Sequence, residues 1–566
     1  MQTRSKLRAN TMITTIRLLL ASVMWIVIGE IAWCDNQLSW SSATNVSESL
    51  WSAEILDIVS VDGSAVYALI RGLSDQNDMR PNAYVTSELD DGSGWISPVQ
   101  IDDLLMFNNI GTLSALVNGR VYVAYVADAA GASSGVFVRA SSDFGRTWSE
   151  ARNVAGESSA LCCYLFMGSD DSGNVCVVYG DGYSISANVS NDYGVTWQSM
   201  PFSIEQLEGN KRLLGLTRGA SNQFYALVAA GSDLTRNDEL YLLVSLDGGR
   251  SWNDPVLIDS SPPPTISAEL SADSSGNIYA AWSDNTGAAY FNHTAHWGQV
   301  VDPVLEMAAA GTAGGISITS TCRGAVFVAW HSAPHASMRG VFVARSLMYG
   351  AGFEAPQLIS NASEAAVPTR VSIVANSSDY VAVVWQDDRR GVVDVWSTST
   401  VDLGETWIAE DTQINLGIPE SYDRTEIAVS LSSVGRAFVG WGGWSEVETH
   451  VVYVARGQSP ILVSAGSSSI EVPSGGGRLT ADLSICNVGI ADVLQVECWL
   501  DCTLPDGRIS NPVFGPIGVT RLRSGRCIAR SRVFLVPARL PAGNYSLNLR
   551  VGEPVDGVGS ICLLKR

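Results

Sequence analysis

The sequence predicts an all-β protein: an eight-bladed β-propeller, closed by its own N-terminal strand, followed by a C-terminal β-sandwich. Three observations carry this expectation. A turn-like octet recurs four times. A short apolar strand recurs eight times at a spacing of about 50 residues, within the range of propeller repeats. Beyond residue 458 both patterns stop, while short alternating strands continue.

The octets are SSDFGRTW (Ser141 to Trp148), SNDYGVTW (Ser190 to Trp197), SLDGGRSW (Ser245 to Trp252) and TVDLGETW (Thr400 to Trp407). Their Asp and Ser/Thr side chains suit bonds to turn amides and hydroxyls. Gly145, Gly194, Gly249 and Gly404 permit positive φ. The closing tryptophan packs and fixes the start of the next strand. The eight apolar strands begin at Ser64, Gly119, Gly173, Asn222, Gly276, Gly324, Asp379 and Gly435, as in GRVYVAY and GNIYAAW. A second alternating strand follows each, such as GVFVRAS or ELYLLVS, and β-branched residues mark both as strands. The octet then leads to an outer strand, and an inner strand leads to the next copy. Each unit is a four-stranded meander, one propeller blade. The eighth copy ends at HVVYVARGQSP without an octet or an outer strand. Its missing piece is WSSATNVS (Trp40 to Ser47), which resembles WSEARNVA (Trp148 to Ala155) and would close the ring by pairing into the last blade.

Residues 37–459 are thus assigned to the propeller and 460–566 to a sandwich of immunoglobulin or fibronectin-III type, with turns such as PDG and PAG between strands. Residues 1–34 read as a signal peptide: Arg17 precedes LLLASVMWIVIG, which is shorter than the ~20 residues needed to span a bilayer. Met12 is an alternative start. Secretion, or a cell-surface or periplasmic location, is expected, with no transmembrane helix in the mature chain. Lipid anchoring at Cys34 is disfavoured by Trp33 just before it. Ten cysteines, five of them between 486 and 562, suggest one or two disulfides. A net charge of −22 excludes nucleic acid as a partner.

The octet resembles the Asp-box, or bacterial neuraminidase repeat, of the sialidase superfamily. Weaker copies stand at Ser87 to Trp95, Phe291 to Trp297 and Ser346 to Phe353. The resemblance implies a propeller in which Asp143, Asp192, Asp247 and Asp402 stabilise turns and take no part in catalysis. The Arg-Ile-Pro motif that opens sialidase domains is absent, and eight blades exceed the six of sialidases.

If the octet joins the third and fourth strands, the 2–3 loops and 4–1 connections open on the other face. Asp284, Asp387, Asp388, Arg389, Arg390 and Trp444 fall in the 2–3 loops; Arg370, Tyr422, Arg424 and Glu426 fall in the 4–1 connections. Acids, arginines and aromatics at one mouth suit a sugar-binding cleft. Ligand-binding candidates are Asp284, Arg370, Asp387, Asp388, Arg389, Arg390, Tyr422, Arg424 and Trp444. The sialidase resemblance implies a further set of roles: arginines from Arg370, Arg424 and Arg389 or Arg390 on a carboxylate, Tyr422 with Glu420 or Glu426 as nucleophile pair, and Asp284 or Asp387 as the acid. Three functions are therefore expected in order: recognition of an extracellular glycan or protein, a sialidase-like exo-glycoside hydrolase, and a structural envelope scaffold. No motif indicates a cofactor or metal; loop carboxylates leave room for Ca²⁺.

Overall fold

The computed structural model describes residues 39–565 except for short stretches, among them 129–133, 156–163, 201–206, 232–238, 333–335, 401–402, 417–426 and 445–449. Its regular elements are all strands. Eight antiparallel sheets follow one another along the chain: blade 1 (52–100), blade 2 (106–153), blade 3 (164–200), blade 4 (210–259), blade 5 (265–308), blade 6 (313–358), blade 7 (369–413) and blade 8 (428–458 with 39–45). In blades 1 to 7 the main strand order across the sheet is the chain order. The first strand of each blade packs on the first strand of the next, and Ala428–Leu431 of blade 8 packs on Ser52–Val61 of blade 1, so the ring closes.

The second strands hold the array together. Every residue of Phe224–Gly231, Ile278–Asp284 and Val381–Asp387 is buried. Alternate side chains enter different cores: Phe224, Ala226 and Val228 pack with blade 3, Tyr225, Leu227 and Ala229 with blade 5. The hydrophobic layers therefore lie between blades, and a strand covered on both faces reads as a continuous apolar run. Burying each large apolar side chain stabilises the ring by about 1.5–3 kcal/mol. Aromatics at the end of the second strand stack on aromatics of the third. Tyr125–Phe137, Trp282–Tyr290, Trp330–Phe342 and Trp441–Tyr453 have centroids 5.8–6.0 Å apart.

Blade 8 is completed from the other end of the chain. Ser39–Trp40 and Thr44–Asn45 pair antiparallel with His450–Gln458, with Trp40 opposite Gly457 and Asn45 opposite Tyr453. Ser47 Oγ accepts a bond from Val452 N at 2.9 Å, and Trp40 Nε1 donates to Ser397 Oγ of blade 7 at 3.0 Å. This is the closure expected from the truncated eighth repeat.

After the propeller, Ile461–Ser467, Gly477–Asn487 and Arg526–Val536 form one sheet. A second sheet runs Glu471–Val472, Gly557–Lys565, Gly543–Gly552, Val493–Thr503, Phe514–Leu522. Leu479, Leu483 and Ile485 of the first share one core with Leu500, Leu547 and Leu549 of the second. Cys498 is a free thiol in this core, so it takes part in none of the expected disulfides. Cys486 and Cys527 are direct cross-strand neighbours. Among the described residues no helix is long and apolar enough to cross a membrane; the predicted signal segment lies outside them.

Candidate ligand-binding face

The octets connect third to fourth strands and share their end of the ring with the 1–2 turns: Phe144 N bonds Gly119 O and Tyr193 N bonds Gly173 O. Each described octet aspartate is fully engaged. Asp143 accepts from Ser141 Oγ (2.8 Å), Thr147 N (2.9 Å) and Thr147 Oγ1 (2.6 Å), while Gly145 N donates to Ser141 Oγ. Asp192 and Asp247 repeat the pattern through Thr196 and Ser251. Burial acts to raise the Asp143 pKa, but the bonds from Thr147 and Ser141 prevail and hold it below the usual carboxylate range. Gly145 (φ 79°) and Gly194 (φ 84°) occupy left-handed backbone against tyrosines of the preceding blade, Tyr67 and Tyr122. These aspartates staple turns. Asp402 lies outside the described residues.

At the opposite mouth the two candidate acids at equivalent positions of blades 5 and 7 have different surroundings. Asp387 is enclosed. Arg389 clasps it at 2.6–3.0 Å, Trp385 Nε1 donates to it at 2.9 Å, and Arg389 Nη1 reaches Asp411 at 2.6 Å. The Arg389 guanidinium also lies 4.1 Å from the Trp396 ring centroid. Asp388 accepts from Val367 N at 2.8 Å, and Arg390 donates to Gln413 at 2.5 Å. The DDRRG turn is thus an internally paired unit of blade 7. Asp284 has no such arginine. One of its oxygens accepts from Thr286 N, Thr286 Oγ1 and Ala288 N at 2.6–3.0 Å, and the residue is almost wholly covered. Asp284 shapes its turn and is closed to a ligand at the surface. Burial, then Asp284, pushes the neighbouring Tyr290 up to about 12. In blade 4, the Tyr241 hydroxyl donates to Glu239, two residues back on the same strand.

The groups that do face solvent are different ones. Arg370 is exposed on the first strand of blade 7, in left-handed backbone at φ 51° beside a register shift. Backbone of this kind costs a non-glycine residue of order 1 kcal/mol. His331 lies in its field: burial, and then Arg370, lower the His331 pKa. His331 Nε2 accepts from Gly315 N at 2.7 Å, so the ring is neutral. Tyr183 stands 65 % exposed in the 2–3 turn of blade 3. Asp181 Oδ1 fixes that turn by accepting from Tyr183 N and Ser184 N at 2.7–2.8 Å. Lys211, at the start of blade 4, bonds Gly182 O through its amide and Tyr183 O through Nζ at 3.4 Å. Trp51, 44 % exposed, enters blade 1 on the same face, where Arg71 pairs with Glu54 at 2.8 Å. Tyr183, in the turn YGDGY (179–183), and Trp51 are not among the residues singled out from the sequence.

The inner strands carry two further acids. Asp57 of blade 1 and Glu269 of blade 5 occupy equivalent positions on first strands four blades apart. Each accepts from the next blade: Asp57 from Leu113 N (2.9 Å), Glu269 from Ile318 N (3.0 Å) and Ser317 Oγ (2.8 Å). Burial raises both carboxyls despite these bonds.

Tyr422, Arg424 and Glu426 lie outside the described residues, and so does the Trp444 side chain; the Trp444 backbone pairs with His450. Among the described residues no group of three or more His, Cys, Asp or Glu could hold a metal ion.

Residues 58–292 match the family described as the BNR repeat-like domain. That stretch runs from the first strand of blade 1 into the third strand of blade 5, so the likeness covers part of the propeller. No curated protein matches the sequence. Three solved structures to which the chain is similar show how far the likeness reaches. One is a protein of unknown function from Dyadobacter fermentans, at 10 % identity over 75 % of this chain and 99 % of that one, with a TM-score of 0.37. A sialidase from Streptococcus pneumoniae matches at 12 % over 61 % and 66 %, with 0.34. An α-L-arabinanase from Penicillium chrysogenum matches at 14 % over 54 % and 98 %, with 0.33. In this propeller the octets supply architecture, and the opposite mouth carries the exposed polar and aromatic groups.

Proposed function

We propose that the protein binds an extracellular glycan at the face opposite the octets. The observation that carries this reading is Tyr183, an exposed ring on a turn held rigid by Asp181 and flanked by Lys211. A flat apolar ring with polar neighbours suits a pyranose, whose CH face stacks while its hydroxyls reach charged groups. Arg370 and Trp51 extend the same face. Pre-organised turns lower the entropic cost of binding.

Binding is favoured over hydrolysis because one candidate acid is paired and the other is covered. A general acid must reach the glycosidic oxygen within hydrogen-bond distance. Asp387 is clasped by Arg389, and Asp284 is covered. A glycan array followed by calorimetric titration tests the reading. The wild-type chain should retain at least one glycan, and Tyr183→Ala should weaken it about tenfold or more, the scale of one lost hot-spot ring. A blank array, or Tyr183→Ala and Trp51→Ala variants that bind as tightly as wild type, would sink it. Turnover of a fluorogenic sialoside panel would replace it with the hydrolase reading.

A further inference from the structure

We infer that the C-terminal sandwich docks on an anionic lipid surface through the side where its two edge strands, Arg526–Val536 and Phe514–Leu522, come together. The inference goes beyond glycan recognition and uses none of that face. Charge is the first observation. The chain carries −22, yet residues 460–566 hold eleven Lys and Arg against eight Asp and Glu, a net of +3. Residues 507–552 contain eight arginines and no Asp, Glu or Lys.

Placement is the second. Arg521, Arg530, Arg532 and Arg539 are all exposed, and Arg532 stacks 5.3 Å from the Phe514 ring centroid, joining the edge of one sheet to the edge of the other. Exposed apolar side chains border them: Val513, Phe514 and Ile517 on one edge strand, and Val533 (60 %) and Leu535 (75 %) on the other, where alternation turns them to the outer face of the sheet, away from Arg530 and Arg532. Leu535 lies opposite the exposed Arg478 in the strand register. Guanidinium groups can pair with lipid phosphates while neighbouring apolar side chains enter the interfacial region. Screening confines electrostatics to about 10 Å at 0.1 M salt, so local charge counts for more at a surface than the net charge of the whole chain.

The same strands oppose a protein strand as occupant. Pro516 removes a donor from one edge, and arginines punctuate the other. Two copies of Arg526–Val536 paired antiparallel would bring arginines against arginines.

The test is flotation of the chain from residue 35 onward, which retains every described strand and lacks the apolar leader. Vesicles of phosphatidylcholine with phosphatidylglycerol are compared with phosphatidylcholine alone. Co-flotation is expected with the anionic vesicles only, and raised salt should abolish it. Arg530→Gln with Arg532→Gln should weaken partitioning about tenfold or more, since each arginine near such a surface is worth roughly fivefold. Val533→Ser with Leu535→Ser should weaken it too, with unchanged unfolding midpoints showing that both variants fold. Equal flotation with neutral vesicles, no flotation, or unaffected variants would overturn the inference. So would a dimer in vesicle-free solution that the Val533→Ser, Leu535→Ser variant abolishes, because a second copy would then be the occupant. Tyr183→Ala should leave flotation unchanged, which separates this outcome from that of the glycan reading.

Discussion

At the scale of single residues, one side-chain type performs opposite tasks. Asp143 spends both oxygens on its own turn and titrates low; Asp102, buried beside blade 1, accepts from Ala83 N and Gln100 and is pushed up to about 6 by burial. The two make opposite contributions to stability as pH changes. Asp143 stabilises above the ordinary carboxylate range and loses that contribution as pH falls through its depressed value. Asp102 contributes fully below its unfolded value near 4, and the contribution is lost as pH rises through about 6. Asp102→Asn should therefore flatten the fall in unfolding midpoint between pH 4 and pH 7; an unchanged slope would refute the assignment. Asp143→Ala leaves turn donors without a protein partner and should cost about 1–2 kcal/mol in denaturant unfolding, with glycan binding intact. The octet aspartates were legible in sequence because their partners lie within four residues. The second partner of Arg389 was not, because Asp411 lies 22 positions onward and is brought close only by the blade.

At the scale of elements, the repeat was readable wherever periodicity alone decides. Second strands with both faces covered appear as apolar runs, and the third-strand aromatics follow the same register. The inner strands were harder to read. Register shifts in Ser52–Val61 and Thr265–Ala272 interrupt the alternation, so Asp57 and Glu269 look like stray acids in apolar strands. Ring closure is the element on which the architecture depends most. Removing residues through 47 would expose the edge of His450–Gln458 and take Trp40 from its bond to Ser397. That truncation should lower the unfolding midpoint and increase aggregation, as measured by thermal scanning with light scattering. A truncated chain as stable and monodisperse as the parent would contradict the closure.

At the scale of the whole molecule, charge and exposure divide the labour. The propeller concentrates the acidity, one end of its ring is locked by octets, and the other presents Tyr183, Trp51, Lys211 and Arg370. The sandwich collects arginines on one side. Which face to search was legible in the sequence from strand direction; which side chains are exposed there was not, because exposure follows from how each turn folds. The most direct measurement titrates the array-selected glycan against three proteins: wild type, Tyr183→Ala with Trp51→Ala, and Asp143→Ala with Asp192→Ala. The account predicts that binding disappears in the first double variant and persists in the second, which loses only stability. Binding that survives in the first and disappears from a folded second variant would place the ligand on the octet face and contradict the account.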